Sequence, residues 1–165
     1  MGRGVAPKLL IQQRRLMANV STAIASGVVG AGVLTLLHEG ARRQIPRAPR
    51  MDIVGMRAID RVMAWMNVQL LNRPSLHRLA LAGDILGNSL YYSAVPGRTP
   101  AATWGRGLVL GTLAGIGALS LPERLGLGTP PDSSRRSNQM MTVAWYVIGG
   151  LAAAAAANAY AARRV

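Results

Sequence analysis

The chain contains no cysteine and no phenylalanine, and only 4% of its residues are aromatic. The absence of cysteine excludes disulfide bonds, thiolate metal ligands and cysteine nucleophiles. Aromatic side chains usually fill the core of a soluble domain, but here alanine, glycine, leucine and valine supply most of an apolar content of 50%. Small apolar residues in long runs favour close contact between helices in lipid.

Acidic residues are also scarce, because 6 Asp and Glu face 19 Lys and Arg over 165 residues and leave a net charge of +13. The mean hydropathy is nevertheless positive, since the charges fall between apolar runs. This combination is typical of a membrane protein. The basic groups are small and scattered, with no continuous basic helix, RNA-binding aromatic motif or zinc pattern, so no nucleic acid partner is expected.

We therefore predict an all-α fold, a polytopic transmembrane helical bundle with about four spanning helices and one amphipathic interfacial helix. A basic segment over 1–15 precedes a single transmembrane domain over 16–165. The spans are predicted at about 16–38, 76–95, 104–121 and 140–162.

The first span rests on an uncharged run from Leu16 to Leu37, which as a helix is about 33 Å long and exceeds a hydrocarbon core of about 30 Å. A secretory signal peptide cleaved after Ala25 is the competing interpretation. Cleavage there would leave an apolar region of only about nine residues, so a retained helix is favoured.

The second span is the least apolar, because Asp84 lies near its middle. Its apolar residues contribute about −3 kcal/mol to insertion and the aspartate costs about +3 kcal/mol, so this helix needs neighbours that cover Asp84. Polar residues of this span fall close to one helical stripe and form the candidate intramembrane site: His77, Asp84, Asn88, Tyr91 and Tyr92.

An ionisable group inside a span is a functional hypothesis by default. Asp84 could bind a cation, carry a proton, or pair with an arginine from the preceding loop. The favoured interpretation, however, is a structural polar network that locks the bundle, with Asp84 satisfied by Asn88, a hydroxyl or an arginine. A transported ion or proton, and a contact with a lipid or cofactor, are the alternatives.

A loop is predicted over 38–50, since Pro46 and Pro49 forbid a regular helix. Asp52 is predicted to cap an amphipathic helix over 52–72, which lies at the membrane interface or against the bundle. Arginines of this region are expected to contact anionic lipid head groups, with ordinary interface anchoring as the alternative: Arg42, Arg43, Arg47, Arg50, Arg57 and Arg61.

Glycines recur every fourth residue in the third span, at Gly107, Gly111 and Gly115. This spacing predicts close packing between helices, within the chain rather than between copies of it. Trp104, Trp145 and the neighbouring Tyr146 lie near span ends, where an aromatic belt would place them.

His38-Glu39 and His77 also lie near span ends and could hold a haem or metal, but two unlinked histidines are a weak signal and the zinc-protease pattern is absent. Interfacial polar residues are the favoured interpretation. No paired carboxylates, Ser–His–Asp set or phosphate-binding glycine loop is visible. We therefore expect no enzyme activity, no cofactor and no metal.

Three stretches in this order resemble small, uncharacterised multi-pass membrane proteins of bacteria: 48–58, Gly83-Asp84 with 88–92, and 142–151. The resemblance covers residues 20–160 and implies a membrane location, but no activity. We expect a structural or accessory subunit of a membrane complex, with membrane-protein partners or a homo-oligomer, in the bacterial inner membrane. The alternative is a small transporter or channel that uses the polar face around Asp84.

Overall fold

The computed structural model describes residues 5–69 and 71–163, with side chains from residue 16 onward. This part of the chain is all-α, with five helices and no strand. The helices are α1 (Val5–Gln44), α2 (Met51–Trp65), α3 (Arg73–Tyr92), α4 (Pro100–Arg124) and α5 (Arg136–Ala162).

Three helical segments in the described part of the chain are long and apolar enough to span a membrane, one fewer than the four predicted: Leu16–Gln44 of α1, Pro100–Arg124 and Arg136–Ala162. The exception is α3. It has 20 residues, enough for a span of about 30 Å, but His77, Asp84 and Asn88 lower its hydropathy. The helical bundle is therefore compatible with a membrane protein through three of its helices.

Three predicted helix boundaries were wrong. Helix α2, predicted to extend to residue 72, ends at Trp65. Helix α1 continues through residues 38–44, which were expected in a loop, because Pro46 and Pro49 both come after its end. It also includes residues 5–15 of the predicted basic segment, and residues 1–4 lie outside the described part. Helix α4 continues past Pro122 to Arg124, so this proline lies inside the helix.

The predicted cap of α2 was also wrong. The N-cap residue is Arg50, which makes no side-chain capping bond. The Asp52 carboxylate lies in the first turn and accepts hydrogen bonds from Arg50 Nε and Nη2, both at 2.8 Å. The next helix, α3, does have a side-chain cap, because Asn72 Oδ1 accepts a 3.0 Å hydrogen bond from the Ser75 N–H.

Glycine allows close packing around α5, which lies between α1 and α4. A Cβ built on Gly107 would lie 2.5 Å from the Gly150 carbonyl oxygen, and one on Gly111 would lie 2.7 Å from that of Tyr146. Since such distances are shorter than van der Waals contact, only glycine allows the α4 and α5 backbones to approach this closely. Helix α3 packs on α1, and α2 packs on α3.

Helix α2 is fixed at one end of the bundle by two arginines. Arg57 Nη1 donates to the carbonyl oxygens of Leu127 and Thr129, both at 3.1 Å, and Arg61 Nη1 donates to Leu125 at 2.6 Å. Helix α4 separates this 125–129 loop from the turn that ends α3 by 25 helical residues, or about 37 Å. Since α3 begins beside α2 and ends at that turn, it runs along the length of the bundle.

Candidate functional site: an acidic cavity beside Asp84

The polar stripe predicted on α3 divides into two parts. Asn88 Nδ2 donates to Asp84 Oδ1 and to the Asp84 carbonyl oxygen, both at 2.9 Å. The tyrosines bond elsewhere: the Tyr91 hydroxyl donates to the Leu110 carbonyl oxygen on α4 at 2.9 Å, and Tyr92 is fully buried against α5. The N-terminal part of the stripe, from His77 to Asn88, therefore contains the side chains that do not bond to another helix through a hydroxyl group.

Asp84 lies on the wall of a cavity of about 220 Å³ at the end of the bundle that carries α2. All five helices contribute to its wall. Such a volume holds several water molecules, at about 30 Å³ each. The polar and aromatic side chains that line it are Thr35, His38, Glu39, Asp52, His77, Asp84 and Tyr146.

His77 connects two carboxylates on this wall. Its Nε2 lies 3.9 Å from Glu39 Oε1 on α1, and its Nδ1 lies 3.8 Å from Asp52 Oδ2 on α2. Each carboxylate also pairs with an arginine: Glu39 with Arg42 at 2.6 Å and Asp52 with Arg50 at 2.8 Å. Three helices thus meet in one charged network at the side of the cavity.

The protonation of Asp52 is controlled by this network. Burial favours a higher pKa for the Asp52 carboxyl, but the hydrogen bonds and charge of Arg50 outweigh burial and hold its pKa below the ordinary value. The charge of His77 acts in the same direction. Asp52 is therefore a stable anion near neutral pH.

Two buried polar atoms on α1 have no hydrogen-bond partner among the residues whose side chains are described: Thr35 Oγ1 and His38 Nε2. They lie one helical turn apart, and both residues line the cavity. The His38 ring packs edge-on against Trp145 and Tyr146, with centroid distances of 5.2 Å and 5.6 Å. Because buried polar groups are rarely left unpaired, this wall can bind water or a polar ligand.

Pro122 leaves one backbone carbonyl oxygen of α4 without its usual helical donor. A proline inside a helix has no N–H for the carbonyl oxygen four residues earlier, and that carbonyl belongs to Ala118. Both residues line the Asp84 cavity, and both also line a more open groove of about 420 Å³ between α3 and α4. Asn88 and Tyr91 line this groove, so polar groups continue from the cavity toward the outer surface.

The sequence anticipated only part of this site. His77, Asp84 and the pair His38-Glu39 were each selected, but the sequence did not show that they share one cavity. Asp52 was assigned to a helix cap. Trp145 and Tyr146 were assigned to an interfacial belt, yet they are 8% and 7% exposed and pack in the core.

Four of the six arginines predicted to contact lipid head groups have partners within the chain. Arg42 and Arg50 pair with carboxylates, and the two on α2 bind carbonyl oxygens of the 125–129 loop. Arg43 and Arg47 are exposed. Their contact with lipid stays a prediction.

No group of three or more His, Asp or Glu side chains in the described residues is arranged to hold a metal ion. Comparison of the chain with protein families, with curated proteins and with solved structures found no match.

Proposed function

We propose that this chain is a small transporter or channel that passes protons, with Asp84 as its central intramembrane group. The observation that supports this most is that Asp84 shares one cavity with His38, Glu39, Asp52 and His77. Ionisable residues grouped inside a membrane domain mark proton relays in pumps and transporters. We propose the bacterial inner membrane as its location, because helical bundles reside there and the sequence resembles bacterial membrane proteins.

The proposal includes α3 as a fourth span. Alone, this helix is too polar to insert. It runs the length of the bundle, however. Its most polar side does not face lipid entirely, because Asp84 lines the cavity and Asn88 lines the groove. The exposed residues of α3 include Leu79, Leu86 and Leu90, at 46%, 71% and 77%, which suit contact with lipid.

The role of Asp84 follows from its partners. None of the ion pairs found in the described part of the chain includes it, and its side chain is held by the neutral amide of Asn88. Asp84 is partly buried, and a desolvated carboxylate without a cationic partner is costly unless it takes up a proton or a cation. Asp84 is therefore able to accept a proton and release it again.

The network around His77 provides the entrance in this proposal. Imidazole changes its charge between about pH 5 and 8 and is the usual physiological proton carrier. The carboxylates of Glu39 and Asp52 each lie within 4 Å of the His77 ring, so polar groups from three helices meet there. A proton would then pass from His77 to Asp84 through water in the cavity, and onward along the groove lined by Asn88.

Proton flux in proteoliposomes tests the proposal. The full chain is reconstituted with a pH-sensitive dye inside, and internal acidification is followed after an external acid pulse. Asp84→Asn removes the titratable group and keeps the size, and Asp60→Asn on α2 makes the same chemical change outside the cavity. Wild type and Asp60→Asn should acidify faster than protein-free vesicles, and Asp84→Asn should match protein-free vesicles.

Equal flux through Asp84→Asn and wild type would overturn the role of Asp84, and wild-type flux no higher than that of empty vesicles would overturn the transporter. Failure of Asp84→Asn to accumulate would assign a structural role to Asp84.

An accessory subunit of a membrane complex is the second candidate, and one surface favours it. Gly83 and Gly87 lie four residues apart on α3, and a Cβ on either would meet nothing within 4 Å. Small residues at this spacing accept a neighbouring helix. Native membranes extracted mildly and analysed by mass spectrometry should then yield a complex, which Gly83→Leu with Gly87→Leu should dissociate.

A further inference from the structure

A second cleft lies at the opposite end of the bundle, where the turn between α3 and α4 meets α1 and α5. Its volume is about 800 Å³, larger than the acidic cavity. Two arginines, Arg98 and Arg106, line it together with neutral polar side chains. These are Asn19, Thr22, Ser93, Thr99, Thr103 and Asn158.

The charge of this cleft is wholly positive. Arg98 and Arg106 line it, and none of the six acidic residues of the sequence does. All six occur in the other half of the bundle or on α3: Glu39, Asp52, Asp60, Asp84, Glu123 and Asp132. The separation gives the cleft a field that attracts anions and repels the cations that the acidic cavity accepts.

The Arg106 side chain is held in a fixed position by a hydrogen bond within the chain. Arg106 Nη1 donates a 2.7 Å hydrogen bond to the Pro96 carbonyl oxygen, and the Gly97 N–H donates to Thr103 Oγ1 at 3.0 Å. These bonds tie the turn to the first two turns of α4. A guanidinium has five N–H donors, so one bond to Pro96 leaves others for an anion.

Asn158 on α5 provides a second, independent observation. Its Nδ2 is buried and has no hydrogen-bond partner among the residues whose side chains are described. The residue lines the cleft opposite the α3–α4 turn. A buried amide donor without an acceptor is uncommon in native structures, and an acceptor oxygen on a bound ligand would satisfy it.

We propose that this cleft binds a phosphate group, and that the phosphate belongs to the head group of an anionic phospholipid. Arginine matches phosphate oxygens with paired N–H donors. Basic pockets between membrane helices hold such head groups, and this cleft opens at the start of α4 and the end of α5, beside the start of the apolar segment Leu16–Gln44 of α1. Trp104, 43% exposed near the start of α4, suits the same depth. The proposal does not depend on proton transport.

The test uses the purified full chain in a non-ionic detergent. Phosphatidylglycerol, phosphatidylcholine or inorganic phosphate is added, and retained lipid is measured by native mass spectrometry. The variants are Arg98→Gln, Arg98→Gln with Arg106→Gln, and Arg124→Gln with Arg136→Gln as a charge-matched control at the other end. Arg98 is exposed, so the single variant leaves the packing intact.

Wild type and control should retain phosphatidylglycerol over phosphatidylcholine, and each cleft arginine removed should weaken retention about fivefold. Inorganic phosphate should compete for the site. Equal retention of the two lipids by wild type, or unchanged retention in the single and double cleft variants, would overturn the site. Binding of inorganic phosphate without retention of phosphatidylglycerol would overturn the lipid source.

Discussion

The Tyr92 hydroxyl on α3 donates a 2.7 Å hydrogen bond to the Tyr146 carbonyl oxygen on α5. Tyr92 is 0% exposed. Its ring reaches α5 because Gly149 leaves room for it: a Cβ there would lie 3.0 Å from the hydroxyl oxygen. Tyr146 in turn lines the acidic cavity, so this bond holds the polar helix against the apolar bundle at the inner side of the site.

Tyr92→Phe should therefore lower the free energy of unfolding by about 1 kcal/mol, the usual net value of one hydrogen bond. Tyr91→Phe is the matched control, because its hydroxyl also bonds a carbonyl oxygen but the bond is exposed, and it should cost less. Thermal unfolding in detergent, followed by tryptophan fluorescence, measures both. A larger loss in Tyr91→Phe would contradict the importance of the bond to Tyr146.

Contact between α4 and α5 makes a second prediction. A Cβ at Gly111 would lie 2.7 Å from the Tyr146 carbonyl oxygen, whereas one at Gly105 on the same helix would meet nothing within 4 Å. Gly111→Ala should destabilise the chain by about 1–3 kcal/mol, as overpacking does. Gly105→Ala should be neutral or slightly stabilising, since alanine favours helix. Equal unfolding temperatures for the two variants would show that this interface is not closely packed.

Stability should depend on pH through Asp52. Its pKa in the folded chain is below the ordinary value, so its contribution is complete above the unfolded pKa of about 3.9 and is lost as the pH falls through the folded pKa. Wild type should therefore lose more stability between pH 6 and pH 3 than Asp52→Asn does. Asp60→Asn is the control and should follow wild type. Parallel curves for wild type and Asp52→Asn would contradict the Arg50–Asp52 pairing.

Much of the bundle could be predicted from the sequence, because length and apolarity alone define a membrane helix. The uncharged run of α1 and the glycine repeat of α4 carry that information locally. The extent of α1 beyond His38 could not be predicted in this way, since the helix is favoured there by contacts such as that between His38 and Trp145.

The candidate site was harder to predict, because its residues come from different helices. Asp84 was identifiable as an unusual charge within an apolar segment. The approach of Asp52 to His77 depends on how α2 folds back over α3, and that fold depends on Arg57 and Arg61 binding a loop more than 60 positions later in the chain. No local pattern in the sequence encodes such a contact.

The central claim is that α3 crosses the membrane and carries Asp84 into it, and the absence of cysteine from the chain allows a direct measurement. Single variants Val68→Cys, Arg98→Cys and Ser134→Cys place one thiol in each exposed connection after α2, α3 and α4. Labelling intact vesicles with a membrane-impermeant maleimide should place Val68→Cys and Ser134→Cys on one side and Arg98→Cys on the other. Val68→Cys and Arg98→Cys on the same side, with Ser134→Cys opposite, would show that α3 does not cross, and would contradict the account.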